Sequence, residues 1–160
     1  MDFLDIEITQ KRYIKILIVS IILIIIYLAF TMSSLLIFKS YTLGPNTSVN
    51  DEEINTHIDV LEVSGKKIEI AGWAYKEGEK ITTVNSNYVL KNQENGKMYL
   101  MRTQMEENIN LSDPDIKLAG IHAQCLLFGI PSGRYDIYVL YQNGEEDILA
   151  NTSIYVDIYK

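Results

Sequence analysis

The sequence predicts a mainly β protein in which a single N-terminal transmembrane helix precedes an immunoglobulin-like antiparallel β-sandwich of about seven strands. The first observation is an apolar stretch, Ile16 to Phe38, which contains no charged residue. The second is a series of short alternating apolar patterns after His57, separated by turn-forming residues and without any helical period between them. The predicted organisation is a cytoplasmic tail at residues 1–12, a transmembrane helix at 13–39, a linker at 40–56 and a β-sandwich at 57–160.

The apolar stretch is long enough to cross a bilayer. As an α-helix it would be about 34 Å long, and the hydrocarbon core of a bilayer is ~30 Å thick. A helix buried in a soluble domain is usually shorter and amphipathic. A cleaved signal peptide has an apolar region of about 7–15 residues that ends at a pair of small residues. Here the nearest small pair, Ala29 and Thr31, lies inside the apolar stretch, so we predict an uncleaved anchor.

Basic residues on one side of the span predict its orientation. Lys11, Arg12 and Lys15 precede the span, whereas an acidic run at residues 51–53 follows it. Because basic flanks stay in the cytoplasm, we expect a single-pass protein of the cell membrane with its N-terminus inside and its C-terminal domain outside.

Charge and cysteine content limit the partners of the outer domain. From Ser40 onward the sequence has 10 Lys and Arg against 18 Asp and Glu, a net charge of −8. Such a domain repels nucleic acid and anionic polymers. Cys125 is the only cysteine, so an intrachain disulfide is excluded. An exported domain without disulfides is typical of a Gram-positive bacterium.

Three hairpins are predicted from turn signals. The first joins strands at 57–63 and 67–75, with Ile68 and Ile70 on one face and Glu69 on the other. The second joins 81–92 to 97–104 through Asn95-Gly96, a two-residue turn that sets Leu90 opposite Met101. The third turns at Asn143-Gly144 and makes three cross-strand pairs, Val139 with Ile148, Ile137 with Ala150, and Tyr135 with Thr152.

Two segments lie between the second and third hairpins. Residues 105–118 show no period and are predicted as the longest loop. Ile121, Ala123 and Cys125 then alternate with polar residues, which predicts a strand that turns these three side chains inward.

Several short motifs of the outer domain resemble a known type of module. They are the strand Ile68–Tyr75 with its Gly-Trp-Ala centre, Arg102, the tripeptide Ala119–Ile121, and the segment Gly133–Ile137. These motifs are similar to those of small β-sandwich modules on cell-envelope proteins of Gram-positive bacteria, often encoded near polysaccharide-synthesis enzymes. The sequence departs from the pattern where Gln104-Met105 replaces Asp-Val and where Ile121 replaces Phe. The resemblance implies a location and a fold more than an activity.

Trp73, the two histidines and Cys125 are the candidates for a chemical site by residue type. Trp73 suits a sugar-stacking platform, but a single Trp in a sandwich strand is more often a core residue, and we predict that role. His57 and His122 lack the further ligands that a zinc site needs, and His122 and Cys125 fall on opposite faces of their strand. No nucleophile–base motif or phosphate-binding glycine loop occurs. We therefore predict a protein that is not an enzyme and that uses no metal or cofactor.

Two sets of residues are candidates for contacts with partners. Tyr138, Tyr155 and Tyr159 are predicted to face outward from the last hairpin, either as ordinary strand residues or as an aromatic patch. In the span, Ala29 lies four residues before Ser33, with Ser34 adjacent, and these small residues form a shallow groove suited to a second transmembrane helix.

The sequence-based hypothesis is a non-catalytic membrane protein whose outer sandwich is an interaction module. Its expected partners are the lipid bilayer, another membrane protein that makes or exports surface polysaccharide, and polysaccharide itself. The alternatives are a stand-alone glycan-binding module and an immunity factor that blocks an envelope receptor.

Overall fold

The computed structural model describes residues 10–50, 52–81, 85–107, 116–143 and 146–159. The chain forms two compact units, residues 1–35 and residues 36–160. Helix α1 runs from Gln10 to Leu36, and all but its last residue belong to the first unit. Its segment Arg12–Thr31 has a mean hydropathy of 2.8 and is long and apolar enough to cross a membrane. The predicted span ended at Lys39, whereas the helix ends earlier, at Leu36.

The second unit consists of strands packed as two sheets. Among the described residues the strands are β1 (Lys39–Tyr41), β2 (Thr47–Val49), β3 (Ile54–Ser64), β4 (Lys67–Lys76), β5 (Asn87–Asn92), β6 (Met98–Met101), β7 (Thr103–Glu106), β8 (Gly120–Leu126), β9 (Gly133–Asn143) and β10 (Glu146–Ile158), with a short 3₁₀ helix at Lys117–Ala119. The predicted fold class, a helix followed by a β-sandwich, is confirmed. The described residues form ten strands instead of about seven.

The strand order is that of an immunoglobulin-like sandwich. One sheet has the order β3-β4-β8-β7, which corresponds to strands A, B, E and D of that fold. The other contains β6-β5-β9-β10, equivalent to C′, C, F and G, with β1 and β2 added at its two edges. The hydroxyl of Tyr135 donates a hydrogen bond to the Pro131 carbonyl at 2.7 Å, as in a tyrosine corner at the start of strand F. Strand β2 pairs in parallel with β10, so the sandwich is not wholly antiparallel.

The segment predicted as a linker forms part of the sandwich. Strands β1 and β2 both lie within residues 39–49. Immediately after the helix, Ile37 forms a parallel bridge with Leu126 in one sheet, and Phe38 is 8% exposed in the core. Residues 40–56 are therefore not a free linker, because Phe38 is buried in the core and β1 and β2 pair in the six-stranded sheet.

The core follows the predicted alternation in most strands. Ile68, Ile70, Ile121, Ala123 and Cys125 are all buried between the sheets. A second, smaller cluster lies on the outer face of the six-stranded sheet. There Val89, Leu140 and Leu149 are buried under a set of partly exposed side chains, Tyr41, Met98, Leu100 and Tyr138.

The predicted register of the second hairpin is wrong by two residues. Leu90 lies opposite Tyr99, and Met101 lies opposite Tyr88. The side-chain oxygen of Asn92 accepts hydrogen bonds from the backbone N–H groups of Glu94 and Asn95, each at 3.0 Å. These bonds close the turn around a four-residue loop instead of a two-residue loop.

The last hairpin also has a different register, although the predicted faces are correct. Val139 pairs with Ala150, and Ile137 pairs with Ile154. Between these pairs β10 contains a bulge, in which Ser153 has a φ of 59°. The backbone N–H of Ser153 donates a hydrogen bond to the side-chain oxygen of Asn151 at 2.9 Å. Because the register shifts by an even number of residues, the side chains predicted to point into the core still do so. The predicted turn at Asn143-Gly144 lies partly outside the described residues.

The strand predicted at residues 97–104 is divided between the two sheets. Residues 98–101 pair in the six-stranded sheet and residues 103–106 in the four-stranded sheet, with Arg102 between them. The hydroxyl of Thr103 donates to the Ser86 carbonyl and so fixes the crossing point. Strand β7 therefore occupies the start of the predicted 105–118 loop, of which residues 108–115 lie outside the described part of the chain.

Candidate functional site

The outer face of the four-stranded sheet carries the aromatic residues of the Gly-Trp-Ala strand. In β4 the side chains of Ile68, Ile70 and Ala74 point into the core, so Trp73 points outward. The prediction that Trp73 is a core residue is therefore corrected: it is half-buried on the outer face, although it also contacts the core cluster. The sequence contains the information that predicts this position. Ile68 and Ile70 point inward, so the alternation of the strand places Trp73 on the outer face together with Glu69.

Trp73 is the centre of a row of three rings. Its indole stacks on His57 of β3 at a centroid distance of 5.5 Å and on Tyr75 of β4 at 5.4 Å. The interplanar angles are 28° and 29°. These distances are typical of offset stacking, in which part of each ring face stays uncovered. We call His57, Trp73 and Tyr75 the aromatic row.

A cluster of polar side chains follows on the same face. Glu69 accepts hydrogen bonds from the Gln124 amide at 2.9 Å and from His122 Nε2 at 3.2 Å, and it pairs with Lys67 Nζ at 3.1 Å. The second ring nitrogen of His122 lies 3.5 Å from a carboxylate oxygen of Glu106 on β7. This polar cluster presents both donors and acceptors and is partly open to solvent.

Small residues separate the aromatic row from the polar cluster. Across the strands Trp73 faces Gly120, and His122 faces Ala71. Directly opposite residues on neighbouring strands are in contact, and diagonal neighbours lie about 7–8 Å apart. Trp73 and His122 are therefore diagonal neighbours on this face, and the small residues Ala71 and Gly120, of which Gly120 is buried, occupy the other two positions between them.

The electrostatics of this face suit recognition better than proton transfer. Hydrogen bonds from Gln124, Lys67 and His122 lower the pKa of Glu69 to about 2. A carboxylate with this pKa is ionised at neutral pH and is a poor general acid. Among the residues that the structure describes, no group of three His, Cys, Asp or Glu side chains has the arrangement of a metal site.

The tyrosines predicted as a patch lie in different surroundings. Tyr138 is half-buried over the outer cluster of the six-stranded sheet, with Lys91 Nζ 5.7 Å from its ring centroid. Tyr155 is exposed, and the Arg134 guanidinium stacks on it at 4.5 Å. Tyr159 lies beyond β10 and lines an apolar cavity with Phe128.

The groove predicted in the span lies on helix α1. Ala29 is exposed on this helix. Ser33 and Ser34 belong to α1, but their side chains lie outside the described part of the chain. The contact with a second helix stays a prediction.

Comparison with protein-family models, with curated proteins and with solved structures finds no match for this chain. The resemblance to the Gly-Trp-Ala modules is therefore untested. The aromatic row and the polar cluster have to be interpreted from their own chemistry.

Proposed function

We propose that the protein is a membrane-anchored, non-catalytic recognition module that binds a polysaccharide on the outer face of its four-stranded sheet. The observation that supports this proposal is the aromatic row beside the polar cluster. Sugar rings have apolar faces that pack on aromatic side chains, and their hydroxyl groups hydrogen-bond to carboxylates, amides and imidazoles. Trp73 and His122, as diagonal neighbours on this face, offer both kinds of contact side by side.

A polysaccharide fits this face better than a protein does. The centre of a protein interface is depleted in charged residues, because both partners must lose their water there. Here the ion pair of Glu69 with His122 joins the two central strands, β4 and β8, of the face. A polyhydroxylated ligand supplies hydrogen bonds to these groups and leaves them partly solvated, so their desolvation costs less.

The charge of the module narrows the class of polysaccharide. The chain from Ser40 onward has a net charge of −8, and ionised Glu69 lies in the site. An anionic polymer would be repelled, whereas a neutral polymer or one with amino groups would not. We expect the ligand to belong to the neutral or amino-sugar class.

The last part of the proposal is the orientation of the chain in the cell membrane. Basic residues at Lys11, Arg12 and Lys15 favour a cytoplasmic N-terminus and an extracellular sandwich. In this orientation the module holds a polysaccharide close to the membrane, as an accessory to the machine that makes or exports it. Protease added to intact protoplasts should remove the chain after Ser40, and full protection of the sandwich would reverse the orientation.

Trp73 provides a direct test of binding because it is the only tryptophan. The full-length protein in lipid nanodiscs is titrated with neutral oligosaccharides, amino-sugar oligosaccharides and an anionic polysaccharide. Binding on the aromatic row should change the Trp73 emission with the first or second class but not with the third. Calorimetry of Trp73→Ala should show a loss of affinity of about ten-fold.

Tyr155→Ala is the matched control, because Tyr155 is an exposed aromatic residue of the other sheet. It should bind as the unmodified protein does. Equal affinities for Trp73→Ala and the unmodified protein would show that the ligand binds elsewhere. The absence of any emission change with all three classes would contradict the polysaccharide proposal.

A further inference from the structure

The four-stranded sheet has one long edge strand. Strand β3 lies at one side of this sheet and has 11 residues, whereas β7, at the other side, has 4. Strands β1 and β2, at the two sides of the other sheet, have 3 residues each. A short edge strand offers little backbone for pairing with another chain, whereas a long one presents a row of N–H and C=O groups. Strand β3 therefore presents more backbone than the other three edge strands.

The regular part of this edge follows the bulge in β3. The register between β3 and β4 shifts between Ile58 and Val60 and is regular from Val60 to Ser64. In a regular antiparallel strand every second residue turns its N–H and C=O away from the neighbouring strand. Within residues 60–64 no backbone group bonds to the backbone of a described residue outside β4. Lysine and proline, which often keep natural edges from pairing, do not occur in β3. We call residues 60–64 the free edge.

The two faces of the free edge differ in chemistry. Leu61 and Val63 lie opposite the inward residues Ile70 and Ile68, so they belong to the core side of the strand. Val63 is nevertheless 38% exposed. The outer side carries exposed Glu62. A strand added to this edge would therefore meet apolar side chains on one face and a carboxylate on the other.

Glu62 gives the free edge an unbalanced negative charge. Its direct neighbour on β4 is Glu69, and like charges at opposite positions repel. Glu69 pairs with Lys67 and His122, whereas Glu62 forms no ion pair with a residue that the structure describes. A basic side chain on the other side of β3 would lie beside Glu62 and offset this repulsion.

We propose that the free edge binds an extended segment of a partner protein, in which apolar residues alternate with lysine or arginine, as an added strand of the four-stranded sheet. Backbone hydrogen bonds supply the affinity in this mode of recognition, and alternate side chains supply the specificity. The apolar residues of the segment pack beside Leu61 and Val63, and its basic residues pair with Glu62. This function is separate from the polysaccharide site, because it uses the edge of the sheet and not its outer face.

A second copy of the chain is a poorer occupant of the free edge. Antiparallel pairing of two β3 strands about a two-fold axis within residues 61–63 would place the two Glu62 side chains within two positions of each other. Carboxylates at this separation repel, whereas the basic residues of the proposed segment attract Glu62.

The end of β10 is a further edge but suits such a segment less well. Residues 154–158 extend past β2 and pair only with β9 among the described strands. The outward side chains here are already engaged, because Asp157 accepts two hydrogen bonds from Arg134, whose guanidinium stacks on Tyr155. An incoming basic residue would compete with Arg134 for this carboxylate.

The test uses the full-length protein in nanodiscs of zwitterionic lipid and two short peptides. One peptide alternates Lys with Val, and the other alternates Glu with Val. Calorimetry should show that the Lys-Val peptide binds at least about ten-fold more tightly than the Glu-Val peptide. Hydrogen exchange should slow at residues 60–64 when the Lys-Val peptide is bound. A Lys-Val peptide with every backbone N–H methylated keeps its charges but cannot pair as a strand, so it should lose binding.

Glu62→Lys tests the location of the peptide, because it reverses the charge of the free edge. This variant should prefer the Glu-Val peptide. Glu94→Lys is the matched control, since it changes the net charge equally at an exposed turn of the other sheet and should keep the preference for Lys-Val. Thermal transitions of both variants are compared first, so that a folding defect is recognised.

Three results would overturn the proposal. The first is an equal change in preference for Glu62→Lys and Glu94→Lys, which would show attraction to net charge alone. The second is equal binding of the methylated and unmethylated Lys-Val peptides, which would exclude strand pairing. The third is the absence of binding by either unmethylated peptide.

Discussion

A methyl group on Gly72 would overlap the backbone carbonyl oxygen of His57, so β3 approaches β4 more closely here than any side chain permits. The close approach coincides with the irregularity between Ile58 and Val60 in the β3–β4 register. It also brings the His57 ring beside Trp73. The glycine of the Gly-Trp-Ala strand therefore has a structural role, which is to admit the neighbouring strand that completes the aromatic row.

Gly72→Ala should destabilise the sandwich and disturb the aromatic row. The new methyl group meets backbone atoms that cannot rotate away, and we expect the free energy of unfolding to fall by roughly 3 kcal/mol. Urea unfolding followed by Trp73 fluorescence measures this change. Gly78→Ala is the control: its φ is 79° but no atom lies near the added methyl group, so about 1 kcal/mol is expected. A smaller loss for Gly72→Ala than for Gly78→Ala would contradict the close approach.

Removal of the hydroxyl group should affect the free energy of unfolding differently at two buried tyrosines, Tyr88 and Tyr135. The Tyr88 hydroxyl is buried and has no hydrogen-bond partner among the described residues, whereas the Tyr135 hydroxyl bonds to the Pro131 carbonyl. Burial raises the pKa of Tyr88 well above its usual range. Tyr88→Phe should therefore leave the free energy of unfolding unchanged or raise it by about 1 kcal/mol, and Tyr135→Phe should lower it by about 1–2 kcal/mol.

Each tyrosine variant serves as the control for the other, because both remove one oxygen atom from the same core. Urea titrations at the same pH give the two differences. A loss for Tyr88→Phe as large as that for Tyr135→Phe would show that the Tyr88 hydroxyl has a partner.

Strand faces were predictable from the sequence because the period of a strand is two. The alternation around Ile68 and around Cys125 assigns the correct inward residues. Pairing registers were not predictable, because they depend on local hydrogen bonds of single side chains. Asn92 lengthens one turn, and the bulge at Ser153 shifts the other hairpin without changing its faces.

The candidate site was predictable only in part. The statistical preference of a single Trp for the core predicts the wrong environment for Trp73, whereas the alternation of its own strand places it correctly on the outer face. The contact with His57 could not be predicted, since it depends on the register of β3, whereas Tyr75 lies two residues after Trp73 on the same face of β4 and was predictable from the strand period. The sequence does not reveal that residues 39–49 form edge strands. Its polar residues and Gly44-Pro45 are typical of a linker, and a three-residue edge strand is too short to show a clear alternation.

Acid should weaken the polar cluster through Glu69. The pKa of Glu69 is lowered to about 2 in the fold from an ordinary value of 4.5, first by the Gln124 hydrogen bond and then by Lys67 and His122. The ionised form is therefore favoured in the folded state. Its contribution to stability is present above pH 4.5 and is lost as the pH falls toward about 2.

Glu69→Gln tests this dependence. The difference in unfolding free energy between the unmodified protein and this variant should shrink as the pH is lowered from about 6 to 2. Glu94→Gln, at an exposed turn residue, is the control for the chemical change from Glu to Gln. A pH-independent difference for Glu69→Gln would mean that its hydrogen bonds do not favour the ionised form.

The Cys125 thiol should be unreactive while the sandwich is folded. Its side chain is fully buried, and burial raises its pKa to about 11 from an ordinary value of 9.0. Because the neutral thiol is favoured in the fold, its contribution to stability persists below pH 9 and is lost as the pH rises toward about 11. Aromatic disulfide reagents should label the protein slowly at neutral pH and rapidly in urea. Rapid labelling of the folded protein would show that Cys125 faces solvent. Cys125→Ser should cost about 1–3 kcal/mol because a hydroxyl is more costly to bury in this apolar core than a thiol, and Cys125→Ala, which buries no polar atom, should cost less.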